Sequence, residues 1–482
     1  MDTPAATLPA PKIYRVGTLS YTRGALLQLM FWMLWGDFCF QLLESLPSAV
    51  IPLQLRWEGA NDTLIGIKSS IASLIAFVWY PVVGSQSDRH RGRLGRRRPF
   101  LLWCIPPVIL SLLLLGLAKP AGSMVHEILA GSGLGAWVTV PGCTLVWIAA
   151  CFIVFLVFNA YVVQVYGCLI ADVIPSEVIG KFTGFYRAVG ALGSLAFHRW
   201  ALGWVETHTF SVYACTGLLY AVAFSLLVWR VKEGEYPPPP PPAPGGRLGA
   251  IKGYFKECFT NRFYLNYFTV TFFHWGSLAP LSFVVFFATK AGKPDYAETL
   301  GLSLQQFGEV KGWTFLIQIP VFLVVGYFVD KFHPLRVAMA GLFLTVASYF
   351  CCYWLISDAA SMLFWLCINQ ASLAIYLGAA MAMGPRLLPR ERYGQFVSAN
   401  IIFGITSLVI APPLMGLLLQ WIRDYRYAFL ISGLSNIAAF IACVFLYLQW
   451  KGLGGDQDYR PPAVGTAPPE SKPGLSPTTP AG

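Results

Sequence analysis

Apolar residues in this chain come in long, nearly unbroken runs, without the regular polar interruptions of an element that faces water. Twelve runs stand out, over residues 24–53, 63–86, 99–118, 142–172, 180–204, 209–230, 263–290, 304–330, 335–356, 360–385, 394–420 and 427–450. Each offers roughly the twenty apolar residues that cross the hydrocarbon core of a bilayer. Lipid gives backbone N–H and C=O groups no partner, so each run must satisfy its own polar groups and is expected to be a helix. The fold class that follows is an all-α polytopic membrane protein with twelve transmembrane helices. The first run is too long for a cleavable signal peptide and is expected to stay as a span.

Composition and charge sharpen this. The 482 residues are 56% hydrophobic and only 12% charged, about half the charge of a soluble chain. The net charge of +11 sits in short loops between runs, so a nucleic-acid partner is not expected. Arg89, Arg91, Arg93, Arg96, Arg97 and Arg98 follow the second run, and Lys232, Arg247, Lys252 and Lys256 follow the sixth. Arg390 and Arg392 follow the tenth, while loops after odd-numbered runs are poor in cations. By the positive-inside rule both termini are expected in the cytoplasm, in a multi-pass protein of the cytoplasmic (inner) membrane. The eleven cysteines lie inside apolar runs without metal spacing and read as packing residues. No phosphate-cradling glycine loop, nucleophile–base pair or metal-ligand cluster stands out, so no enzyme, cofactor or metal is expected, and an ATP-driven pump is disfavoured.

The chain divides into two six-helix bundles, 24–230 and 263–450, with an N-terminal segment 1–23, a linker 231–262 and a tail 451–482 expected to be disordered. The linker holds six consecutive prolines at 237–242, a semi-rigid tether or a ligand for a proline-reading domain. After them Ile251, Tyr254, Phe255, Cys258 and Phe259 share one face, the pattern of a helix lying on the membrane surface. Two motifs recur. Gly84 stands four residues before Asp88-Arg89, and Gly326 four before Asp330-Lys331. Pro175, Glu177, Gly180 and Phe182 reappear as Pro389, Glu391, Gly394 and Phe396, all at an offset of 214. Duplicated bundles of this kind enclose a substrate site near the midplane. The glycines permit close approach of facing helices. Asp88 with Arg89, and Arg93, Gly95, Arg96, Arg97 and Arg98 behind them, are expected to serve both as a gate whose ion pairs break and reform, with Asp88 and Arg89 its gating pair, and as a topology anchor that meets lipid headgroups.

Polar groups inside spans are costly and mark function. Asp37, Gln41 and Glu44 fall at i, i+4 and i+7 on one helix face, with Trp32 and Trp35 nearby. Carboxylate and amide groups beside aromatic rings suit a carbohydrate's hydroxyls and C–H face; the alternative is structural pairing with basic groups. Asp37 is the candidate proton carrier, since a dry cavity favours the proton-bound carboxyl. Asn159, Gln164, His274, Trp275, Asn369, Gln370 and Tyr376 are further cavity candidates, or else interhelical hydrogen-bonding and packing groups. Arg187 either pairs with Asp172 at the end of span four or serves substrate and proton.

The stretch Ser87-Asp88-Arg89-x-x-x-Arg93-x-Gly95-Arg96-Arg97-Arg98-Pro99-Phe100 resembles the signature loop of sucrose carriers. These belong to the glycoside–pentoside–hexuronide:cation symporter branch of the major facilitator superfamily. Leu169-Ile170-Ala171-Asp172 is similar to the end of that family's fourth helix, and Gln41 stands six residues before Pro47 as the family's glutamine does. The resemblance implies a monomeric carrier that moves a sugar or glycoside with a cation, expected to be H+, by alternating access. One position departs: where sucrose carriers hold a proton-coupling acid in helix four, this chain has Leu156, while Asn159 is kept. Two other readings stay open, a proton-coupled exporter of amphiphilic molecules and a non-transporting membrane sensor or scaffold.

Overall fold

The computed structural model describes residues 13–132, 137–236 and 257–462. Eleven helical stretches among them are long and apolar enough to cross a membrane. One, Ile179–Arg230, is 52 residues long, which at 1.5 Å per residue is about 78 Å, more than twice a bilayer core. It breaks where Leu202–Trp204 tightens to a 3₁₀ turn and His208 leaves helical geometry. Both arms, Ile179–Ala196 and Val205–Arg230, pack on the first helix, so this stretch is two crossings and the total is twelve.

The spans run Arg23–Trp57, Asp62–Arg89, Arg98–Gly116, Val140–Val173, the two arms above, Arg262–Ala288, Leu304–Phe332, Pro334–Leu355, Ala359–Leu387, Tyr393–Ile422 and Tyr427–Gly452. Span one is not uniform: Leu46–Val50, carrying Pro47, widens to a π turn. Proline there has no N–H and loosens the ladder, and Lys68 of span two donates to the Pro47 carbonyl at 2.7 Å. Span seven breaks after Gly276 and resumes as a 3₁₀ turn, Ala279–Phe283, started by Pro280.

Three features depart from or add to the sequence reading. A helix, Ala118–Gly131, packs on span four where only a loop was expected. Strands β1 (Tyr14–Val16) and β2 (Leu19–Tyr21) form a hairpin ahead of span one, and Thr18 Oγ1 accepts from the backbone of Glu235 just after span six. The tail does not become disordered at residue 452. Gly455–Asp458 is helical, Arg336 pairs with Asp456 at 2.6 Å, and the Tyr459 hydroxyl donates to the Leu387 carbonyl at 2.7 Å. The aromatic and ionic groups of 455–462 outweigh the Gly and Pro content that suggested disorder. The proline run, most of the surface helix expected over 251–259 and the tail after residue 462 lie outside the described residues.

Among the described residues the side-chain bonds and close glycine crossings between the two halves lie at one end. Spans two and eleven cross where Gly66 leaves room for the Pro412 carbonyl, which would lie 2.2 Å from an added Cβ. Gly416 gives the same room to the Asp62 carbonyl, and Ser70 Oγ donates to the Val409 carbonyl at 2.6 Å. Spans five and eight cross at Gly308, which meets the His198 carbonyl, and at Gly312, which meets Leu195. All these contacts lie at the end away from the termini, the far end. One buried apolar cluster runs from the first half through Phe283–Ala288 and Met415–Phe429 there, whereas residues near the other end of the second half form a separate cluster around Phe263, Val329, Leu387 and Leu446.

Candidate functional site

Span one brings its polar face against span five because Gly190 and Gly193 have no side chains. An added Cβ at Gly193 would lie 2.6 Å from the Phe38 carbonyl, and one at Gly190 3.0 Å from Asp37 Oδ2. Asp37 is therefore sealed, at 0% exposure, and neither carboxyl oxygen has a hydrogen-bond partner of ordinary geometry. Its polar neighbours are Gln41, Tyr186 and Arg187. The Tyr166 hydroxyl, which could have reached it, instead donates to the Met33 carbonyl at 2.5 Å. Two turns on, Glu44 accepts from Asn159 Nδ2 at 2.6 Å, tying span one to span four. Trp35 lies half-exposed and stacks on Phe38, with ring centroids 5.9 Å apart. Leu156 is buried, one helical turn before Asn159.

The remaining cavity candidates are placed elsewhere. Gln164 packs at 3.4 Å from the Cβ position of Gly84, filling the crossing of spans two and four. His274 is fully buried, shares a hydrogen bond with Asn436 at 3.2 Å and lies over Tyr376, with ring centroids 4.0 Å apart. Trp275 lies on Gly404 of span eleven. Asn369 donates to Ser348 of span nine at 2.9 Å, and Gln370 is buried beside it in sequence. In the second half His274 and Asn369 thus bond neighbouring helices.

The basic hairpin is organised by acids from three elements. Asp172 takes a bidentate contact from Arg96, at 2.6 and 3.1 Å, and a third bond from Arg97 Nε at 3.0 Å. Arg97 reaches on to Asp88 at 2.5 Å and to Ser87. Asp88 thus bonds Arg97, one of the arginines expected to pair with it, and Asp172 is taken by Arg96 and Arg97 in place of Arg187, whose pairing there was one of its two readings. The guanidinium forks of residues 96 and 97 fold back over the end of span two, whereas Arg89 continues that helix outward. Gly95 takes a positive φ of 98°, which turns the chain into span three. Arg98 Nε donates to the Val228 carbonyl at 2.6 Å. Arg93 is exposed at the hairpin tip.

Glu233, not singled out from sequence, anchors this loop. Its carboxylate accepts the backbone N–H groups of Arg96, Arg97 and Arg98 at 2.8 to 3.2 Å, satisfying the free donors at the start of span three. Tyr236, three residues beyond Glu233, lies under the Arg96 guanidinium at 3.9 Å. In the second half Asp330 pairs with Arg386 at 2.8 Å, while Lys331 lies over Tyr327 and Phe332. Arg386 occupies the position 214 residues after Asp172, so the repeat places opposite charges at equivalent sites. Nothing lies within 4 Å of a Cβ built at Gly326.

A second ionic cluster, unforeseen from sequence, closes the far end. Asp62 begins span two at 0% exposure. Arg56, at the end of span one, bonds its Oδ1 and donates to the Tyr425 hydroxyl at 2.9 Å. From the second half Tyr296 donates to Oδ2 at 2.7 Å, Tyr425 to Oδ1 at 3.1 Å, and Lys293 lies 3.9 Å away. The Arg56 guanidinium also lies 4.7 Å above the Phe286 ring. One carboxylate from the first half is thus held mainly by groups of the second.

This helical architecture is similar to that of solved transport proteins. The inward-open xylose transporter XylE from E. coli superposes with a TM-score of 0.61 over 88% of this chain and 96% of that one, at 12% identity. This chain has the major facilitator fold. The nucleoside transporter NupG superposes with a TM-score of 0.65 over 88% of this chain and 100% of that one, also at 12% identity. The family model for the Major Facilitator Superfamily matches residues 278–480. Among curated proteins, Solute carrier family 45 member 4 of Mus musculus is 24% identical over 218 residues, 43% of this chain and 26% of that protein. Proton-associated sugar transporter A of Mus musculus is 29% identical over 122 residues, 24% of this chain and 16% of that one. The match therefore spans about a quarter or less of the length of these relatives.

Proposed function

We propose that the protein is a secondary carrier of the major facilitator type that moves a sugar or glycoside together with a proton, by alternating access. The observation that carries this reading is the one-ended junction: the halves are locked through Asp62 at the far end, with no equivalent bond between them at the other end among the described residues. A bilayer protein so built presents a cleft to one side at a time. With the positive loops and both termini in the cytoplasm of an inner membrane, the present state is open inward.

Asp37 is the coupling group in this account. A carboxyl sealed from water, with no hydrogen-bond partner of ordinary geometry, exchanges its proton only when rocking of the halves lets water reach it. The exposed Arg187 beside it is then the cation that stabilises the carboxylate left behind when the proton departs to water. Glu44 and Asn159, on the same side of span one, offer the acceptors and donors that sugar hydroxyls require. Sugar as the substrate draws further support from the name of a curated relative, a proton-associated sugar transporter. The protein acts as a monomer, with no cofactor, metal or catalytic step.

The test is uptake into proteoliposomes under an imposed pH gradient, with a panel of mono- and disaccharides. Asp37→Asn abolishes uphill accumulation and leaves sugar exchange in place. Accumulation that persists in this variant would remove Asp37 from the coupling role; failure of every sugar in the wild-type protein would remove the substrate class.

A further inference from the structure

Beside the Asp62 cluster a cavity of about 740 Å³ opens at the far end, within the size range of small-molecule sites. Both halves build its wall: Arg56, Trp57 and Glu206 come from the first, Lys290, Lys293 and Gln306 from the second. Three cations line it against Glu206, and of these Arg56 and Lys293 also share the single charge of Asp62. The Asp62 oxygens are occupied further by the hydroxyls of Tyr296 and Tyr425. Three positive charges therefore face two negative ones. The Arg56 side chain is 8% exposed, and its Nε is a buried donor with no hydrogen-bond partner. A buried guanidinium donor left open costs free energy unless a ligand fills it.

We propose that this cavity is a binding site for a small oxyanion, a carboxylate or a phosphate, which bridges Arg56 of the first half and Lys290 and Lys293 of the second. Because the cations belong to opposite halves, the site is complete only while the far end is closed. A ligand that binds one of two states shifts the population toward it, so the anion holds the far end shut. Trp57 supplies an apolar wall, which admits an organic acid as readily as an inorganic ion. The inference rests on the closed far end alone and stands whether or not the transported solute is a sugar.

The test uses the purified full-length protein in uncharged detergent, with ionic strength held constant by chloride. Inorganic phosphate and D-glucuronate are titrated separately, with thermal unfolding and hydrogen exchange over residues 289–302 as readouts. The expected result is saturable stabilisation and slowed exchange in that segment, with half-saturation moved at least about tenfold by Lys290→Gln/Lys293→Gln. Both lysines keep solvent exposure, so the double variant is expected to fold; because Lys293 also lies 3.9 Å from Asp62, stabilisation is read relative to the variant's own melting in chloride, and Lys290→Gln alone serves as the variant that leaves the lock intact. A response to phosphate alone assigns the site to a free inorganic oxyanion; one to glucuronate alone assigns it to an organic carboxylate. No saturable response to either anion, or an identical response in the double variant, overturns the proposal.

Discussion

Replacing Asp62 by Asn removes the charge on which the far-end lock converges while keeping the side chain's shape. Asp62 is fully buried and Arg56 is 8% exposed. Truncating one partner of such a pair leaves the other charge buried and unpaired, which costs about 3–5 kcal/mol. The asparagine oxygen still accepts from Tyr425 or Tyr296, so the lower end of that range applies. Because Tyr296, Tyr425 and Lys293 reach Asp62 across the junction, part of the loss falls on the closed state alone. If half of it does, about 1.5 kcal/mol, the balance between closed and open far ends shifts roughly tenfold toward open. Hydrogen exchange followed by mass spectrometry reads this directly at residues 58–66 and 412–420, which face each other there. Asp62→Asn is expected to speed exchange in both segments together and leave the basic hairpin at 90–97 unchanged. Unchanged exchange in 58–66 and 412–420, with normal folding, would refute the reasoning that the lock holds the halves together.

Other perturbations follow from the same geometry. Gly66→Ala places a methyl against the Pro412 carbonyl, 2.2 Å from its Cβ; the overpacking costs about 1–3 kcal/mol and speeds exchange at the same two segments. Glu233→Gln weakens the three backbone bonds at the start of span three; the loss is about 1 kcal/mol, seen as a lower melting temperature and faster exchange at 96–100. His333, between spans eight and nine, is half-buried and stacks on Trp450 at 4.2 Å, and burial followed by the nearby Arg386 lowers its pKa to about 4. Its neutral form is favoured on folding, so its contribution is complete above the ordinary value of 6.5 and is lost as pH falls from there through about 4. His333→Asn, which tolerates the positive φ of 69°, should reduce the loss of melting temperature over that window relative to wild type. An equal loss in both proteins would contradict this role.

What was legible in the sequence was what the bilayer demands of every segment by itself. The long apolar runs gave the helices, and the glycine spacing of spans two and eight marked the ends where hairpins turn. The face carrying Asp37, Gln41 and Glu44 was visible because a helix places i, i+4 and i+7 together without help from any other element. Bonds between distant elements were not legible. Glu233 reads as one more loop acid until the fold brings it to the start of span three, where it meets Arg98, 135 residues earlier in the chain. Asp62 meets Tyr425 across 363 residues and looks, in sequence, like an ordinary acid in the first turn of a helix. The basic hairpin shows both limits: its arginines announced an ion-pair network, but which arginine met which acid depended on the backbone turn at Gly95. The hydrogen bonds of His274, Asn369 and Asn436 settle within the second half for the same reason, since a polar residue in a span does not declare from sequence whether a neighbouring helix or a cavity will satisfy it.

Alternating access is most directly tested by measuring both ends of the molecule at once. Nitroxide pairs at Asn61 and Glu298 for the far end, and at Arg93 and Arg390 for the other, are exposed positions whose separations report each opening. In protein with its exposed cysteines replaced, double electron–electron resonance is recorded with and without the Asp62→Asn change. The account predicts opposite movements: the far-end distance lengthens while the Arg93–Arg390 distance shortens. If the far end opens with no narrowing at the other, or if both distances change in the same direction, the two halves do not rock as rigid bodies.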